Sequence, residues 1–308
     1  MRCPFHNEST PSFTVNTVTG QYYCFVPSCA SFGNLNDLIM KHGGFNSFEA
    51  LRVLARVKVG KQSKSSNLVS DIQTLIGKKE EFDIFAADKI DELHSGLNKE
   101  AIDYMASRGI NLETLNEFRV GYSEQKRMIT IPCYSHNNIP VGVIGRSIEG
   151  KRFQYSRGMP IAKVWFNLNS ARRKSSTAIV VEASMDALKI HQAGFPNVVA
   201  ILGGNVSDYK MDLLNKYFDK IVIMTDNDEN KVYKGCKLCK GGCKGHNPGR
   251  DSGASIAKRF TREVFWAAYG VDTIYPHGAK DPGELTESEI RHVIENAQPE
   301  YIYRQNFK

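Results

Sequence analysis

Two short apolar runs that end in carboxylates constrain the fold of this 308-residue chain more than any other feature. The first run, 179–181, is followed by Glu182, and the second, 221–224, is followed by Asp226 and Asp228. Apolar, β-branched runs of this length are typical of buried strands, and the segment after the first run has a helical pattern. Because ligands bind beyond the carboxyl ends of strands in an open α/β sheet, we expect these three carboxylates to converge in one polar crevice.

Converging carboxylates repel one another unless a cation lies between them. Mg²⁺, or Mn²⁺ in its place, is a hard divalent ion that prefers oxygen ligands of this kind. Glu182, Asp226 and Asp228 are therefore the predicted magnesium ligands. Phosphoryl transfer is the chemistry that such a site favours.

Basic residues are concentrated in two stretches on either side of these strand ends, within a chain of net charge +7. Eight Lys and Arg accompany one acid in 146–178, and nine accompany one acid in 231–262. A basic surface beside an acidic metal site suits an enzyme that binds a polyanion and cuts or joins it. A solvated surface is the alternative for each stretch taken alone.

The N-terminal residues lack the apolar core of a signal peptide, and no apolar run approaches the roughly 20 residues that span a bilayer. We therefore expect a cytoplasmic protein that makes no membrane contact. In a reducing compartment, seven cysteines favour metal binding over disulfide bonds.

Four residues near the N-terminus have the spacing of a zinc site. Cys3 and His6 form one pair and Cys24 and Cys29 a second, each pair encloses a proline, and strand-like segments lie between the pairs. Two ligand pairs on tight turns joined by a hairpin predict a tetrahedral Zn²⁺ site of the ribbon type. A unit of this size cannot build a sufficient core without its metal.

The N-terminal sequence CPFHNESTPSFTVN, followed by YYCF and GN, resembles the Cys-His-Cys-Cys zinc ribbon of bacterial and phage DNA primases. In that family the ribbon recognises the initiation sequence of the template. The chain departs from the family pattern at its second cysteine pair, where four residues separate Cys24 from Cys29 instead of two.

The resemblance and the composition together predict an α/β (α+β) protein built from four segments. Residues 1–58 would form the zinc ribbon with flanking helices, and the small, polar stretch within 59–80 would be a flexible linker. Residues 81–174 would form a mixed-sheet, basic subdomain of a primase catalytic core that contains a hairpin over 128–148. Residues 175–300 would form a Toprim domain with a Cys-rich insertion at 231–249.

The basic subdomain resembles the groove in which primases hold template, primer and incoming nucleotide. The resemblance implies nucleic-acid or nucleotide contacts from the following residues: Arg146, Arg152, Tyr155, Arg157 and Lys163. The family usually has a lysine just before the tyrosine, where this chain has Gln154. We expect that contact to be lost or to move to a neighbouring arginine.

The sequences VVEASMDALKIHQAG, ILGG and MTDND resemble the Toprim domain that primases, topoisomerases and some nucleases share. The resemblance assigns catalytic roles to five acids: Glu182, Asp186, Asp226, Asp228 and, in the phrase KDPGEL, Asp281. Ala183 replaces the usual glycine after the glutamate. Gly283 replaces a second acid, and the adjacent Glu284 is a candidate substitute.

The insertion contains a compact set of four potential zinc ligands with glycines between them: Cys236, Cys239, Cys243 and His246. This spacing resembles a zinc knuckle and predicts a second Zn²⁺ in a lysine-rich loop beside the acidic site. Free thiols in a flexible loop are the alternative.

The resemblance implies a DNA primase, a nucleotidyltransferase that makes short RNA primers on single-stranded DNA from ribonucleoside triphosphates. A replicative helicase would be its partner in trans, and the host cytoplasm its location if the gene is phage-borne. A Toprim nuclease or topoisomerase would use the same acids, and a non-catalytic module that binds single strands or a helicase would use the zinc elements alone. Both remain alternatives.

Overall fold

The computed structural model describes residues 1–16, 19–43, 50, 84–203, 206–228, 231–232, 245–267 and 275–302. The chain divides into two compact units, Met1–Glu81 and Phe82–Lys308. The expected linker at 59–80 lies outside the described residues. In the part of the chain that is described, no helix has both the length and the apolar character needed to cross a bilayer.

The first unit contains a three-stranded antiparallel sheet in the order β1-β2-β3, followed by a helix. Its elements are β1 (Phe13–Val15), β2 (Tyr22–Cys24), β3 (Phe32–Gly33) and α1 (Leu35–Gly43). Phe13 and Tyr22 stack with their ring centroids 5.3 Å apart and form a small core with Cys3, Cys24 and Leu38. So small a core agrees with the prediction that a metal stabilises this unit.

The second unit begins with helices and an antiparallel sheet in the order β4-β5-β6-β7. The helices are α2 (Ala87–Ser95), α3 (Lys99–Ser107) and α4 (Leu112–Glu117). The strands are β4 (Gly121–Ser123), β5 (Met128–Tyr134), β6 (Pro140–Ser147) and β7 (Phe153–Tyr155). β5 and β6 pair from Met128↔Ser147 to Tyr134↔Pro140, which confirms the predicted hairpin.

A five-stranded sheet follows, in the order β12-β11-β10-β8-β9. β8 (Thr177–Val181), β9 (Val198–Ala200), β10 (Lys220–Ile223) and β11 (Glu263–Trp266) are parallel, and β12 (Gln298–Pro299) is antiparallel to β11. The helices of this region are α5 (Leu168–Lys174), α6 (Ser184–Gln192), α7 (Asp208–Tyr217), α8 (Pro248–Arg259) and α9 (Glu287–Glu295). This alternation of strands and helices confirms the predicted α/β domain.

One hydrophobic core joins the two sheets of the second unit. Ile129, Ile131 and Ile144 of the antiparallel sheet belong to the same buried cluster as Ile179 and Val222 of the parallel sheet. Two of the helices around this core, α3 and α7, begin at Asn98 and Ser207, whose side chains accept a backbone N–H. The core therefore fixes the antiparallel sheet against the strands that carry the acids.

Candidate functional site

The predicted acids lie at the carboxyl ends of two adjacent parallel strands. β8 and β10 pair in register with Val180 opposite Ile223, so the residues that follow the two strands are neighbours. The backbone nitrogen of Asp226 lies 3.4 Å from Oε1 of Glu182, so the acid that follows β8 lies next to the acid that follows β10. Asp228 follows two residues later and is partly exposed.

Two further acids close the cluster from other elements. Asp186 lies in the first turn of α6 and is only 6% exposed. Asp281 immediately precedes a short 3₁₀ turn, Pro282–Glu284. A Cβ atom built on Gly283 would lie 2.8 Å from Oδ1 of Asp186 and 2.9 Å from Oδ1 of Asp281, so both carboxylates pack against this glycine. The structure therefore brings all five predicted acids into one region.

Mutual repulsion and burial keep protons on this cluster when no cation is bound. Burial, together with the nearby charges of Asp186, Glu182, Asp281 and Asp228, raises the pKa of Asp226 to about 9. Burial also raises the pKa of Glu182 and that of Asp186 to about 7. Acids held in this state gain most from a divalent cation, because the cation offsets both burial and repulsion.

Two basic residues act on one end of the cluster. The Arg108 guanidinium lowers the pKa of both Asp186 and Asp281, in opposition to their burial. Lys189 lies three residues after Asp186 on α6, and its ammonium donates a hydrogen bond of 2.6 Å to the carbonyl oxygen of Gly283. Sequence reasoning did not identify either side chain as part of the site.

The start of α8 holds the second strand end in place. A Cβ atom on Gly249 would lie 1.9 Å from the carbonyl oxygen of Asp226, so only glycine allows the helix to approach so closely. Asn247 caps α8, accepting a 3.1 Å bond from the N–H of Arg250, and its amide donates to the backbone oxygen of Asp228. The sequence Asn-Pro-Gly is typical of a helix N-cap, but it does not predict that this cap contacts the acids.

Zinc fits the four predicted N-terminal ligands. One ligand atom from each of Cys3, His6, Cys24 and Cys29 lies within 4.8 Å of the others. The sulfurs of Cys3 and Cys29 are 3.8 Å apart, and two Zn–S bonds of about 2.3 Å at a tetrahedral angle require about that separation. Nδ1 of His6 is buried without a hydrogen-bond partner, as a metal-binding nitrogen would be before the ion is added.

Glu8 supports this cluster, and sequence reasoning missed it. Its carboxylate lies 3.0 Å from Nε2 of His6, accepts a 2.6 Å hydrogen bond from the backbone N–H of Cys3, and also accepts from the hydroxyl of Ser12. The Ser12 hydroxyl and these other partners hold the pKa of Glu8 at about 2. A carboxylate on the second nitrogen of a ligating histidine orients the ring and fixes its tautomer.

The predicted nucleic-acid residues do not form a single cluster. Arg146 is 9% exposed, donates a 3.1 Å hydrogen bond to the Tyr104 hydroxyl and lies 4.4 Å over the ring of Phe153. Tyr155 and Arg157 line a cleft of about 730 Å³ between α2 and the antiparallel sheet. Arg152 and Lys163 are exposed and lie outside the lining of that cleft.

The predicted second zinc site falls largely outside the described residues. Cys236, Cys239 and Cys243 belong to segments that the structure does not describe. His246 is described: its Nδ1 lies 3.0 Å from Oδ2 of Asp251, and its backbone exchanges two hydrogen bonds with Lys231.

Family models match both units. The CHC2 zinc finger model matches residues 1–68, and a Toprim domain model matches residues 176–237. The zinc ribbon and the Toprim domain predicted from the sequence are therefore confirmed, as is zinc as the metal of the ribbon. The Toprim domain implies a divalent cation.

Curated relatives at modest identity are DNA primases. That of Clostridium acetobutylicum is 26% identical over 284 residues, which cover 73% of this chain and 45% of the relative. That of Campylobacter jejuni is 23% identical over 272 residues, which cover 74% of this chain and 44% of the relative. The chain thus spans about half the length of the curated relatives it matches.

Solved structures with the same fold are primase domains. The zinc-binding and RNA polymerase domains of the Aquifex aeolicus primase match at a TM-score of 0.54 with 22% identity, covering 98% of this chain and 79% of that one. A DnaG primase catalytic domain bound to single-stranded DNA matches at 0.52 with 16% identity, covering 71% of this chain and 80% of that one. At these identities the likeness shows the fold.

Proposed function

We propose that this chain synthesises short RNA primers on single-stranded DNA, because it combines a CHC2 zinc finger with a Toprim domain and the curated relatives it resembles are DNA primases. The reaction is a divalent-metal-dependent nucleotidyl transfer from ribonucleoside triphosphates. The observation that carries the proposal is the convergence of Glu182, Asp226 and Asp228 at the ends of β8 and β10, in a chain that also has a primase-type zinc ribbon.

Glu182, Asp226 and Asp228 would hold the divalent ion, Mg²⁺ or Mn²⁺, with Asp186 and Asp281 completing the cluster. The chemistry that a bound ion would supply is a lower pKa for the attacking 3′-hydroxyl and neutralisation of charge on the phosphates. The protein fixes the geometry: Gly249 sets α8 against Asp226, and Asn247 restrains the backbone at Asp228. Such positioning provides much of the rate enhancement in phosphoryl transfer, because the protein forms no covalent bond.

Exposed cations of the basic subdomain bind the substrates in this proposal. Arg152, Arg157 and Lys163 are exposed, and in this proposal they contact phosphates of template, primer or triphosphate. Tyr155 borders the cleft that Arg157 lines. In this proposal Arg146 supports the basic surface, because its guanidinium lies over the ring of Phe153 and donates a hydrogen bond to the Tyr104 hydroxyl.

The domain organisation of the proposal has a zinc ribbon at 1–58, a linker at 59–80, a basic subdomain at 81–174 and a Toprim domain at 175–300. The ribbon reads the template through its exposed aromatic residues, among them Phe25 and Phe32. A second zinc in the insertion at 231–249 belongs to the same proposal. The proposal also includes a replicative helicase as partner and a cytoplasmic location.

A priming assay tests the proposal. The zinc-loaded protein is incubated with single-stranded DNA, Mg²⁺ and labelled ribonucleotides, and template-dependent oligoribonucleotides are the expected product. Asp226→Ala should abolish synthesis while DNA binding is retained, because the substitution removes a metal ligand and leaves the basic surface intact. Asp212→Ala, an exposed acid on α7, is the matched control and should keep full activity.

The alternatives give different products. Shortened DNA would support a Toprim nuclease, and binding without any chemistry would support a non-catalytic module. Either result, obtained with folded, zinc-loaded protein, would overturn the proposed function.

A further inference from the structure

Phe153 is an exposed aromatic residue at the edge of the antiparallel sheet. It is the first residue of β7, the last strand in the order β4-β5-β6-β7, and it is 44% exposed. The Arg146 guanidinium covers one face of the ring, 4.4 Å from the ring centroid. Arg146 itself is only 9% exposed. It therefore lies beneath the ring, and the opposite face of Phe153 is open to solvent.

The ring is held in place from below. Arg146 and Phe153 are directly opposite each other in the register of β6 and β7. Nε of Arg146 donates a 3.1 Å hydrogen bond to the hydroxyl of Tyr104 on α3. The hydrogen bond restrains the guanidinium, and the cation–π contact restrains the ring. A ring that is already ordered loses little conformational entropy when a planar ligand stacks on it.

Basic side chains flank Phe153 along the same edge of the sheet. Lys151 and Arg152 precede it, Arg157 follows it, and all three are exposed. Single apolar side chains on a protein surface are common and indicate nothing by themselves. An exposed ring between cations, however, is the combination that holds single-stranded nucleic acid, because the cations contact phosphates while a base stacks on the ring.

The position of the cations favours a strand over a free nucleotide. Each base within a strand has a phosphate on both sides, whereas a nucleoside triphosphate carries its phosphates on one side of the base. The cations at Phe153 lie on both sides of the ring in the sequence, Lys151 and Arg152 before it and Arg157 after it. This arrangement matches a base within a strand.

The end of α3 connects this ring with the acid cluster. Tyr104, which restrains the guanidinium beneath Phe153, lies in the last turn of α3. Five residues later, a Cβ atom built on Gly109 would lie 3.3 Å from Nζ of Lys189, which bonds to the carbonyl oxygen of Gly283. Two acids of the cluster pack against that glycine. Five residues of helix rise about 7.5 Å, so the ring lies within a few nucleotides of the acids.

We infer that Phe153 stacks on an unpaired base of a DNA strand bound beside the acid cluster, with Arg146 as the cation beneath the ring. The inference rests on the proposed function, because it takes the basic subdomain as the surface that binds the template. It adds a residue and a mode of binding that the proposed function does not specify.

A purely structural role for Phe153 predicts a different result. If the ring only covered Arg146, Phe153→Ala would affect all strands equally, with or without bases. If the ring stacks on a base, Phe153→Ala should weaken the binding of a thymidine oligonucleotide about fivefold or more. The binding of an abasic oligonucleotide of the same length should not change. The salt dependence of binding should also be unchanged, because no phosphate contact is lost.

Phe153→Trp provides a spectroscopic test. The two native tryptophans, Trp165 and Trp266, are each 1% exposed, so the emission of an added, exposed indole can be measured as the difference from the wild type. The zinc-loaded variant is titrated with the thymidine oligonucleotide, and binding is followed in parallel by fluorescence anisotropy of labelled DNA. The thymidine oligonucleotide should quench the added emission as it binds. The abasic oligonucleotide should bind without quenching.

Leu112→Trp is the matched control, because Leu112 is 48% exposed and lies on α4, outside the proposed stack. Its added emission should not change when the thymidine oligonucleotide binds. Leu112→Ala should likewise bind both oligonucleotides as the wild type does.

Binding of the thymidine oligonucleotide to Phe153→Trp without quenching would overturn the inference. So would a Phe153→Ala variant that binds the two oligonucleotides equally weakly or as tightly as the wild type. Quenching by a ribonucleoside triphosphate with Mg²⁺, but not by the thymidine oligonucleotide, would also overturn it, because the base would not belong to a strand. These three results leave the proposed function intact, since the priming assay tests that separately.

The proposed function can also fail by itself. A wild type that makes no primers, with quenching retained in Phe153→Trp, would overturn the proposed function and leave the stacking at Phe153 supported. A wild type that does not bind the thymidine oligonucleotide would overturn both.

Discussion

At the scale of single residues, the acid cluster stores electrostatic repulsion that only a cation or protons relieve. Asp226 shows this most clearly: its pKa is raised from 3.8 to about 9, first by burial and then by four neighbouring carboxylates. Asp226, one of the predicted metal ligands, is therefore also a residue that destabilises the metal-free fold.

The stability of the metal-free protein should fall as the pH rises through neutrality. Between the unfolded and folded pKa values of Asp226, 3.8 and about 9, the folded chain binds the extra proton, so raising the pH favours unfolding. Thermal melts at several pH values should show a decreasing Tm without Mg²⁺ and a recovery with it. Asp226→Asn should reduce both the dependence of Tm on pH and its recovery with Mg²⁺, because the asparagine amide does not ionise.

Asp212→Asn serves as the control for this experiment, because Asp212 is an exposed residue of α7 and does not belong to the acid cluster. Its melts should follow those of the wild type. A pH dependence of equal slope in Asp226→Asn and the wild type would contradict the assigned cause.

At the scale of elements, the site depends on how closely α8 approaches β10. Gly249 lies against the Asp226 backbone, and a Cβ on Gly253, one turn later, would lie 2.7 Å from the Thr225 hydroxyl. Two glycines four residues apart on one helical face allow this contact, in which helix backbone meets strand end. The approach fixes the strand end that carries Asp226 and Asp228.

Gly249→Ala should therefore reduce both stability and metal affinity. The added methyl group overlaps the Asp226 carbonyl and must displace α8 or the strand end, an overpacking cost of about 1–3 kcal/mol. Denaturant unfolding measures the first effect and Mn²⁺ titration the second. Gly150→Ala is the control, because nothing lies within 4 Å of its Cβ. Equal free energies of unfolding for the two variants would show that α8 accommodates the added methyl group without a loss of stability.

The sequence predicts those parts of the site that local patterns encode. Apolar runs that end at Glu182 and before Asp226 specify strands and their carboxyl ends, and adjacent parallel strands then bring these acids together. The contacts of Lys189 with Gly283 and of Glu8 with His6 follow no periodicity. They depend on turns that meet only in the folded chain, so a sequence pattern carries no signal for them.

At the scale of the whole molecule, the two units depend on different sources of stability. The first unit has a small core around Cys3, Phe13 and Tyr22 and a four-ligand zinc cluster, whereas the second has an extended core shared by two sheets. Metal binding and folding are therefore coupled in the first unit. The folding of the second unit should not require zinc.

Removing zinc should unfold the first unit and leave the second folded. Both tryptophans of the chain, Trp165 and Trp266, are 1% exposed and lie in the second unit, so their fluorescence reports on that unit alone. A zinc-selective chelator should leave the emission maximum unchanged while limited proteolysis begins to cleave within the first 58 residues. A red shift of the emission on chelation would contradict this separation.

The segments that complete the acid cluster are far apart in the chain. Lys189 and Gly283, joined by one hydrogen bond, are separated by 94 residues, and Gln192 and Glu287 by 95. A ribosome delivers the chain from its N-terminus, so β8 and β10 emerge well before the turn that carries Asp281. The cluster is thus complete only after the turn that carries Asp281 has left the ribosome, and a chain terminated before this turn lacks an assembled site, although it already carries the zinc ribbon.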